Sequence, residues 1–172
     1  IICDANLQED VLKEIVTLSS CPLFMDTVSS VKALKIKDIL HQVDTLKPNQ
    51  LEAQILTGIQ IRDQQDVVKA ANKLHEMGVK NVFLSLGSKG VYASTQNEAQ
   101  FYPNPHINVK NTTGAGDAFI AALVYAKIHE CSLKETVQIA LSASALCSES
   151  RETIAENLSE ETLLLKKQQY FI

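Results

Sequence analysis

A run of small residues directly before a predicted helix is the part of the chain best suited to chemistry. The run is Asn111-Thr112-Thr113-Gly114-Ala115-Gly116-Asp117. Small side chains let the backbone approach a ligand closely and direct successive N–H groups at one point, where the helix dipole also favours an anion. Asp117 lies in the first turn, where it could accept a proton from a hydroxyl that attacks a phosphoryl group. Taken alone, the run leaves a second interpretation open: a tight helix start, with Asp117 only offsetting the dipole.

A second candidate is the segment Lys47-Pro48-Asn49-Gln50-Leu51-Glu52. Asn49 and Glu52 are three residues apart, which is the spacing of a helix capping box, and the segment alone favours that structural role. A functional role would need a cation. A carboxylate at a helix start near phosphates could hold hydrated Mg²⁺, which keeps most of its waters when a protein binds it.

The third candidate is Ser85-Leu86-Gly87-Ser88-Lys89-Gly90, which directly follows an apolar run. Two glycines three residues apart, with a hydroxyl before them, can wrap the phosphates or the ribose of a nucleotide with backbone amides. The same residues suit a simple hairpin turn, and alone they favour the turn.

The elements that must position these residues alternate between short apolar runs and amphipathic segments, as in βαβ units. An opening strand is followed by strands predicted at 23–25, 43–46, 81–86, 91–94 and 100–102. Helices are predicted at 6–18, 30–40, 49–57, 64–77, 114–129, 132–147 and 159–169. This order predicts a three-layer α/β sandwich on a mostly parallel sheet, a fold that binds ligands at the carboxyl ends of its strands.

Helix ends and buried faces are predicted from cap residues and apolar spacing. Capping boxes are expected at Asn6 with Glu9 and at Ser132 with Glu135, and glycine stops at Gly58 and Gly78. The apolar residues expected on buried helix faces are Leu7, Val11, Leu12, Ile15 and Leu18 in the first helix and Val31, Leu34 and Ile39 or Leu40 in the second.

Composition narrows the class of protein. With 172 residues, 45% of them hydrophobic and 21% charged, the chain is globular rather than disordered. The apolar stretch at 119–126 lies between Asp117 and Lys127 and is far shorter than the about 20 residues that cross a bilayer. A net charge of -4 without basic clusters argues against a nucleic-acid surface and favours a small ligand. Four cysteines without a C-x-x-C pair indicate buried free thiols and a cytoplasmic protein.

In their order along the chain, the three motifs resemble the ribokinase-like (PfkB) family of small-molecule kinases, whose C-terminal portion carries Pro-Asn-x-x-Glu, a Thr/Ser-x-Gly-x-x-Gly turn and Gly-Ala-Gly-Asp. The resemblance implies an enzyme that moves the γ-phosphoryl group of ATP onto a hydroxymethyl oxygen of a sugar or nucleoside. It implies that Asp117 is the catalytic base. It also implies that the amides of Gly114, Ala115 and Gly116 form the anion hole.

The same resemblance implies the cofactors ATP and Mg²⁺ and the residues that bind them. Glu52, with Asn49, belongs to the magnesium and phosphate motif of the family. The residues implied at the ATP site are Ser85, Gly87 and Gly90, with Leu141, Ser144 and Ala145 near the adenine. A bound monovalent cation is less well supported, because Asn111 stands where the family usually has an acid. A neutral amide could still offer its carbonyl oxygen.

The segment from Asp26 to Ala33, followed by Thr45-Leu46-Lys47, resembles the pseudouridine kinase branch of the family more than the sugar kinases. Lys32 in this segment could reach the nucleotide phosphates, or could be a solvated surface lysine. Two other functions stay open. The acceptor could be ribose, fructose or another nucleoside, or the chain could be a non-catalytic nucleotide-binding module.

The family places its sugar-recognition residues, a Gly-Gly motif and a β lid ahead of the strand with which this chain begins, Ile1-Ile2-Cys3-Asp4. We therefore expect residues 1–172 to be the C-terminal nucleotide-binding and catalytic portion of a kinase domain, lacking most of the substrate pocket. Such a portion, if folded, should bind nucleotide weakly and turn over little or nothing, because the acceptor is not positioned and water is not excluded. Dimers of this family usually form through the lid, so the resemblance implies a homodimer of the full-length protein, while the sequence itself does not specify the oligomeric state.

Overall fold

The structure, a computed structural model, describes residues 1–171 and separates into two compact units, one from Ile1 to Tyr102 and one from Pro103 onwards. The strands, all in the first unit, are β1 (Ile2–Asp4), β2 (Phe24–Asp26), β3 (Thr45–Lys47), β4 (Asn81–Ser85), β5 (Val91–Ser94) and β6 (Ala99–Tyr102). Its α-helices are α1 (Glu9–Leu18), α2 (Ser30–Ala33), α3 (Gln50–Thr57) and α4 (Gln64–Glu76). The second unit contains α5 (Ala115–Ile128), α6 (Leu133–Glu149) and α7 (Glu160–Tyr170).

The six strands form one sheet in the order β1-β2-β3-β4-β5-β6. β1 to β4 pair in parallel, and β4, β5 and β6 pair in antiparallel hairpins. Consecutive residues of β4, from Val82 to Leu84, are all buried, as expected for a strand that is covered on both faces. The predicted α/β fold on a mostly parallel sheet is therefore confirmed.

The prediction for the start of α1 is wrong. The N-cap residue is Gln8, without a side-chain cap, and the carboxylate of Asp4 accepts the N–H of Asn6 at 2.8 Å. This turn moves the N-cap from residue 6 to residue 8, because the Asp4 side chain offers the backbone an alternative to helical hydrogen bonds. Only Leu12 and Val16 of α1 are buried. The other predicted core residues, Leu7, Val11, Ile15 and Leu18, are exposed or half-buried.

The helix predicted at 30–40 is two elements, because α2 gives way to a 3₁₀ helix over Leu34–Gln42. A 3₁₀ helix has three residues per turn, so Ile36 and Ile39 share one face, and both are buried, as is the predicted core residue Leu40. Val31 and Leu34, which the α-helical spacing placed in the core, are 81% and 54% exposed. That part of the prediction is wrong because the segment changes from α to 3₁₀ geometry after Ala33, so no single 3.6-residue spacing describes its buried face.

Local signals predicted the other helix ends well. Asn49 with Glu52, and Ser132 with Glu135, form complete capping boxes at α3 and α6. Ser159 caps α7 through the Thr162 N–H. The Tyr170 hydroxyl at the end of α7 donates to the Glu149 carboxylate at 2.8 Å. Burial, and then this carboxylate, raise the pKa of Tyr170 well above its ordinary value, so the hydroxyl remains a donor.

Two of the four cysteines, Cys3 and Cys147, are buried as predicted, whereas Cys21 is exposed and Cys131 is half-buried. Within residues 1–171, no helix has both the length and the apolar character that a membrane crossing requires.

Candidate active site

The turn before α5 has the backbone shape that the sequence predicts. Gly114 is the N-cap residue, with φ 82° and ψ -13°, in the left-handed region that glycine adopts without steric cost. Ala118 N–H donates to the Gly114 carbonyl at 2.9 Å and so begins the helix. The amides at a helix start lack intrahelical partners and can face an anion. Ala115 N–H also makes a long turn bond, 3.3 Å, to the Thr112 carbonyl, so an anion would have to share this amide.

A glycine is required at position 114 for a second reason. A Cβ atom at this position would lie 2.0 Å from the carbonyl oxygen of Thr153. Thr153 belongs to the segment that follows α6. The turn is therefore packed against that segment at a distance which leaves no room for a side chain.

Asp117 lies in the first turn of α5, and its side chain is exposed. Among residues 1–171, its carboxylate has no hydrogen-bond or ion-pair partner. The capping boxes of α3 and α6 differ in this respect, because there the acid at the same helical position accepts a backbone N–H of its own cap. Asp117 is thus an unoccupied acceptor beside the helix start, which suits a general base.

The turn is connected to the end of α6 by backbone and side-chain bonds. The N–H groups of Lys110 and Asn111 both donate to the Ser148 carbonyl, at 2.8 and 3.2 Å. The side-chain oxygen of Asn111 accepts the Thr113 N–H at 2.9 Å, and its amide nitrogen lies 3.4 Å from the Arg151 carbonyl. These bonds hold the residues that precede Gly114 in one conformation.

At the start of α3, Asn49 and Glu52 form the predicted capping box. Asn49 Oδ1 accepts Glu52 N–H at 3.0 Å, and Glu52 Oε2 accepts Asn49 N–H at 2.7 Å. The same Oε2 accepts the hydroxyl of Thr27, a fully buried residue that follows β2. Glu52 is only 3% exposed, so its carboxylate fits a contact to Mg²⁺ through water better than direct coordination. Within the described residues, no group of three or more His, Cys, Asp or Glu side chains could hold a metal.

The Ser85–Gly90 segment forms the connection between β4 and β5. It contains a 3₁₀ turn over Gly87–Lys89, and Gly90 has φ 99°. Leu86 N–H donates to the Gly90 carbonyl at 2.8 Å, so the hairpin interpretation is correct as a description of the fold. Ser85 N–H donates to the Pro48 carbonyl at 2.9 Å, and Asn49 forms a bridge with Ser85. The second and third motifs therefore lie side by side at the carboxyl end of the sheet.

Four other residues were predicted at the ATP site, Lys32 in the first unit and Leu141, Ser144 and Ala145 in the second. The Lys32 ammonium donates to the side-chain oxygen of Asn6, so in this structure it has a protein partner. Leu141 and Ala145 are buried on α6, and Ser144 is half-buried beside them. The three positions on α6 suit plain core packing equally well. The nucleotide-binding roles of these three residues and of Lys32 stay predictions.

Sequence reasoning missed an ion pair between Lys47 and Asp26, whose charged atoms are 3.0 Å apart and whose side chains are each only 12% exposed. The two residues end adjacent strands, β3 and β2, and are opposite each other in the sheet register. Asp26 also accepts the N–H of Val28, which has φ 62°. The available signal was an acid and a base at the last positions of two neighbouring parallel strands, where such sheets bind ligands.

Comparison with known proteins places this geometry in a family. The family model for pfkB family carbohydrate kinases matches residues 4–160. Pseudouridine kinase from Escherichia coli is 37% identical over 92% of this chain and 51% of its own length. The structure of a ribokinase from Thermotoga maritima, 26% identical, has a TM-score of 0.84 over 97% of this chain and 56% of that one. An Arabidopsis thaliana ribokinase, solved with ribose and ATP, is 25% identical, with a TM-score of 0.84 over 97% of this chain and 55% of that one.

The comparisons also show how much of each relative this chain covers. The chain spans about half the length of the relatives to which it is similar. The matched family region includes all three motifs, from Asn49 to Asp117. By sequence and by its ribokinase-like fold, the chain belongs to the pfkB family of carbohydrate kinases.

Proposed function

We propose that this chain is the nucleotide-binding and catalytic part of an ATP-dependent kinase that transfers the γ-phosphoryl group to a hydroxymethyl oxygen of a sugar or nucleoside. The observation that carries the proposal is the start of α5. There the left-handed Gly114 and the carboxylate of Asp117, which has no partner among residues 1–171, lie within one helical turn. Family membership provides the reaction class, and this turn provides the groups that could perform it.

Phosphoryl transfer requires positioning and charge stabilisation more than covalent help from the protein. The amides of Gly114, Ala115 and Gly116 would stabilise negative charge on the transferring phosphoryl oxygens. Asp117 would accept the proton of the attacking hydroxyl. Because both functions belong to the same turn of a helix, the base and the anion hole keep a constant separation.

Mg²⁺, when bound, would neutralise charge on the β- and γ-phosphate oxygens. Glu52 would contact it through water, and Asn49 would fix the carboxylate by the two bonds of the capping box. Thr27 keeps the same carboxylate oriented from the side of β2. Ser85, Gly87 and Gly90 lie beside this motif and would contact the nucleotide.

For the acceptor we propose pseudouridine. The support is the similarity to the Escherichia coli pseudouridine kinase and the resemblance of the Asp26 to Ala33 segment to that branch. The similarity to ribokinases makes ribose the main competitor. Steady-state kinetics of the intact protein with pseudouridine, uridine, ribose and fructose separate these acceptors. A kcat/KM for ribose above that for pseudouridine would refute this assignment.

Three further parts of the proposal concern the protein around the site. Since the chain spans about half of its relatives, we propose that the acceptor pocket is completed by residues outside positions 1–172. We propose that the intact protein is a homodimer. We also propose a cytoplasmic location, where ATP is the phosphoryl donor and the four cysteines can remain free thiols.

Substitution of the proposed base tests the reaction. In the intact protein, Asp117→Asn should lower kcat by about 10²–10⁴-fold with little change in the Kd for ATP, because only proton transfer is lost. Glu161→Gln is the matched control, since it removes another exposed acid from the first turn of a helix, α7. If Asp117→Asn has no more effect on kcat than Glu161→Gln, Asp117 only offsets a dipole. The chain would then serve as a nucleotide-binding module.

A further inference from the structure

The loop before α5 depends on the end of α6 for its conformation, and Asn111 is the side chain that connects the two. Its backbone N–H and that of Lys110 both donate to the Ser148 carbonyl. Its side chain bonds at both ends, to the Thr113 N–H on one side and to the Arg151 carbonyl on the other. Asn111 thus links the loop before α5 to the end of α6 twice, by its backbone N–H to Ser148 and by its side-chain amide to Arg151.

The orientation of this amide is determined by its neighbours. The Thr113 N–H is a donor and can pair only with the side-chain oxygen of Asn111, at 2.9 Å. The NH₂ group must therefore point to the other side, where the Arg151 carbonyl oxygen accepts at 3.4 Å. The chemistry of the site thus calls for an acceptor and a donor on the same side chain, which an amide supplies.

The bridge matters for the anion hole because both of its ends support Gly114. Thr113 precedes Gly114 in the turn, and Thr153, two residues after Arg151, places its carbonyl oxygen where a Cβ of Gly114 would be. A change in the distance between the two segments would alter the direction of the turn amides. Anion holes are sensitive to such displacements, since their donors must be aimed before the charge develops.

An acid at this position would behave differently. A carboxylate presents only oxygens, so one of them would face the Arg151 carbonyl oxygen, and two facing oxygens repel unless a cation lies between them. The residues present do not fit a monovalent cation here. The side-chain oxygen of Asn111 points to the Thr113 N–H, so a cation beside the Arg151 carbonyl would meet the NH₂ group, which is a donor and cannot coordinate it.

We propose that Asn111 is a positioning residue that holds the anion-hole turn by an internal amide bridge, so that this protein needs no monovalent cation at that place. The inference rests on the proposed kinase function for its effect on catalysis, but its structural part stands independently. It predicts that Asn111→Asp converts a cation-independent protein into one that requires a cation such as K⁺.

The test compares wild type, Asn111→Asp and Asn111→Ala in the intact protein. Each is purified in KCl and then melted in KCl, NaCl and tetramethylammonium chloride at equal ionic strength. Wild type should melt at the same temperature in all three salts. The melting temperature of Asn111→Asp should be several degrees lower in tetramethylammonium chloride and should return to a higher value in KCl. That of Asn111→Ala should be lowered equally in every salt, because alanine can bond neither the Thr113 N–H nor the Arg151 carbonyl.

Kinetics add a readout that simple loss of stability would not reproduce. The kcat of Asn111→Asp should fall at least tenfold without K⁺ and return when K⁺ is added, while that of Asn111→Ala should not return. A K⁺-specific rise in the melting temperature of wild type would overturn the proposal. The proposal would also be overturned by an Asn111→Asp variant whose melting temperature is the same in all three salts, or by one that does not fold in KCl. If the intact protein phosphorylates none of the acceptors, the proposed function fails, and the melting comparison still decides the role of Asn111.

Discussion

At the scale of single residues, Gly114 and Gly58 have nearly the same backbone conformation but different surroundings. Their φ angles are 82° and 73°, both in the left-handed region that other residues avoid. Nothing lies within 4 Å of a Cβ placed on Gly58, whereas at Gly114 the Thr153 carbonyl oxygen lies 2.0 Å away. Substituting alanine for each glycine therefore distinguishes two destabilising effects. At Gly58 the added Cβ causes only backbone strain, whereas at Gly114 it also clashes with the Thr153 carbonyl oxygen.

We predict that Gly58→Ala costs about 1–2 kcal/mol of unfolding free energy, from backbone strain alone. Gly114→Ala should cost about 1–3 kcal/mol more, because Thr153 or the turn must move. That movement should also weaken the binding of ATP, which Gly58→Ala should leave unchanged. Urea unfolding and calorimetric titration with ATP measure the two effects. Equal costs for the two substitutions would show that the contact with Thr153 is not a tight one.

Residue roles were predictable where they depend on neighbours along the chain and not where they depend on the sheet. Asn49 and Glu52 were recognised as a cap because the two bonds join residues three apart. The bond from Thr27 to Glu52 and the ion pair of Lys47 with Asp26 join residues of different strands. They become neighbours only through the parallel register of β2 and β3, which no local pattern specifies.

At the scale of elements, the helices α3 and α6 begin with the same device in different surroundings. Each has an N-cap side chain that accepts the N–H of a glutamate, and that glutamate accepts the N–H of the cap. Glu52 of α3 is buried and also accepts the Thr27 hydroxyl, whereas Glu135 of α6 is exposed. The two capping boxes therefore differ in whether water can replace the glutamate.

We predict that Glu52→Ala destabilises the protein by about 2–5 kcal/mol, because the Asn49 N–H is left without an acceptor and the Thr27 hydroxyl keeps only the Lys47 carbonyl, at 3.4 Å. Glu135→Ala should cost clearly less, since water can reach the groups that it exposes. Urea unfolding of both variants beside wild type provides the comparison. If the proposed magnesium role of Glu52 is correct, a folded Glu52→Gln should also need more Mg²⁺ for half-maximal activity, and Glu135→Gln should not. Similar costs for the two alanine variants would mean that water also reaches the start of α3.

The spacing of apolar residues predicted the presence of helices more accurately than it predicted whether a helix is α or 3₁₀. The residues 30–42 contain apolar spacings of both three and four, and the α-helical interpretation chose the wrong face for Val31 and Leu34. The segment changes to a 3₁₀ helix after Ala33, and Ile36, Ile39 and Leu40 of that helix belong to the core of the first unit. In α1, the local turn at Asp4 similarly overrode the expected cap at Asn6.

At the scale of the whole molecule, the alternation of strands and helices was enough to predict the class of fold. Strands separated by helices pair in parallel, and the two short connections after β4 and β5 produce the antiparallel hairpins. The order of strands in the sheet follows their order in the sequence. The coverage of relatives adds what the pattern of elements does not contain, namely that the chain corresponds to about half of a typical family member.

That coverage leads to a prediction about the chain of residues 1–172 produced by itself. It contains the proposed anion hole, base and magnesium motif, so a folded sample should be stabilised by ATP with Mg²⁺, by about 2.7 kcal/mol at a ligand concentration 100 times the Kd. Its turnover of pseudouridine should nevertheless be at least 100-fold below that of the intact protein, because nothing holds the acceptor in line with the phosphoryl group.

The measurements are thermal melts with and without ATP and Mg²⁺, and a coupled assay of ADP release. The Asp117→Asn form of the same chain is the control, because it should keep the stabilisation by nucleotide and lose the residual turnover. A cooperative melt that ATP does not shift would place the nucleotide site outside these residues. Turnover equal to that of the intact protein would show that residues 1–172 already position the acceptor, and the proposal of a divided substrate pocket would be wrong.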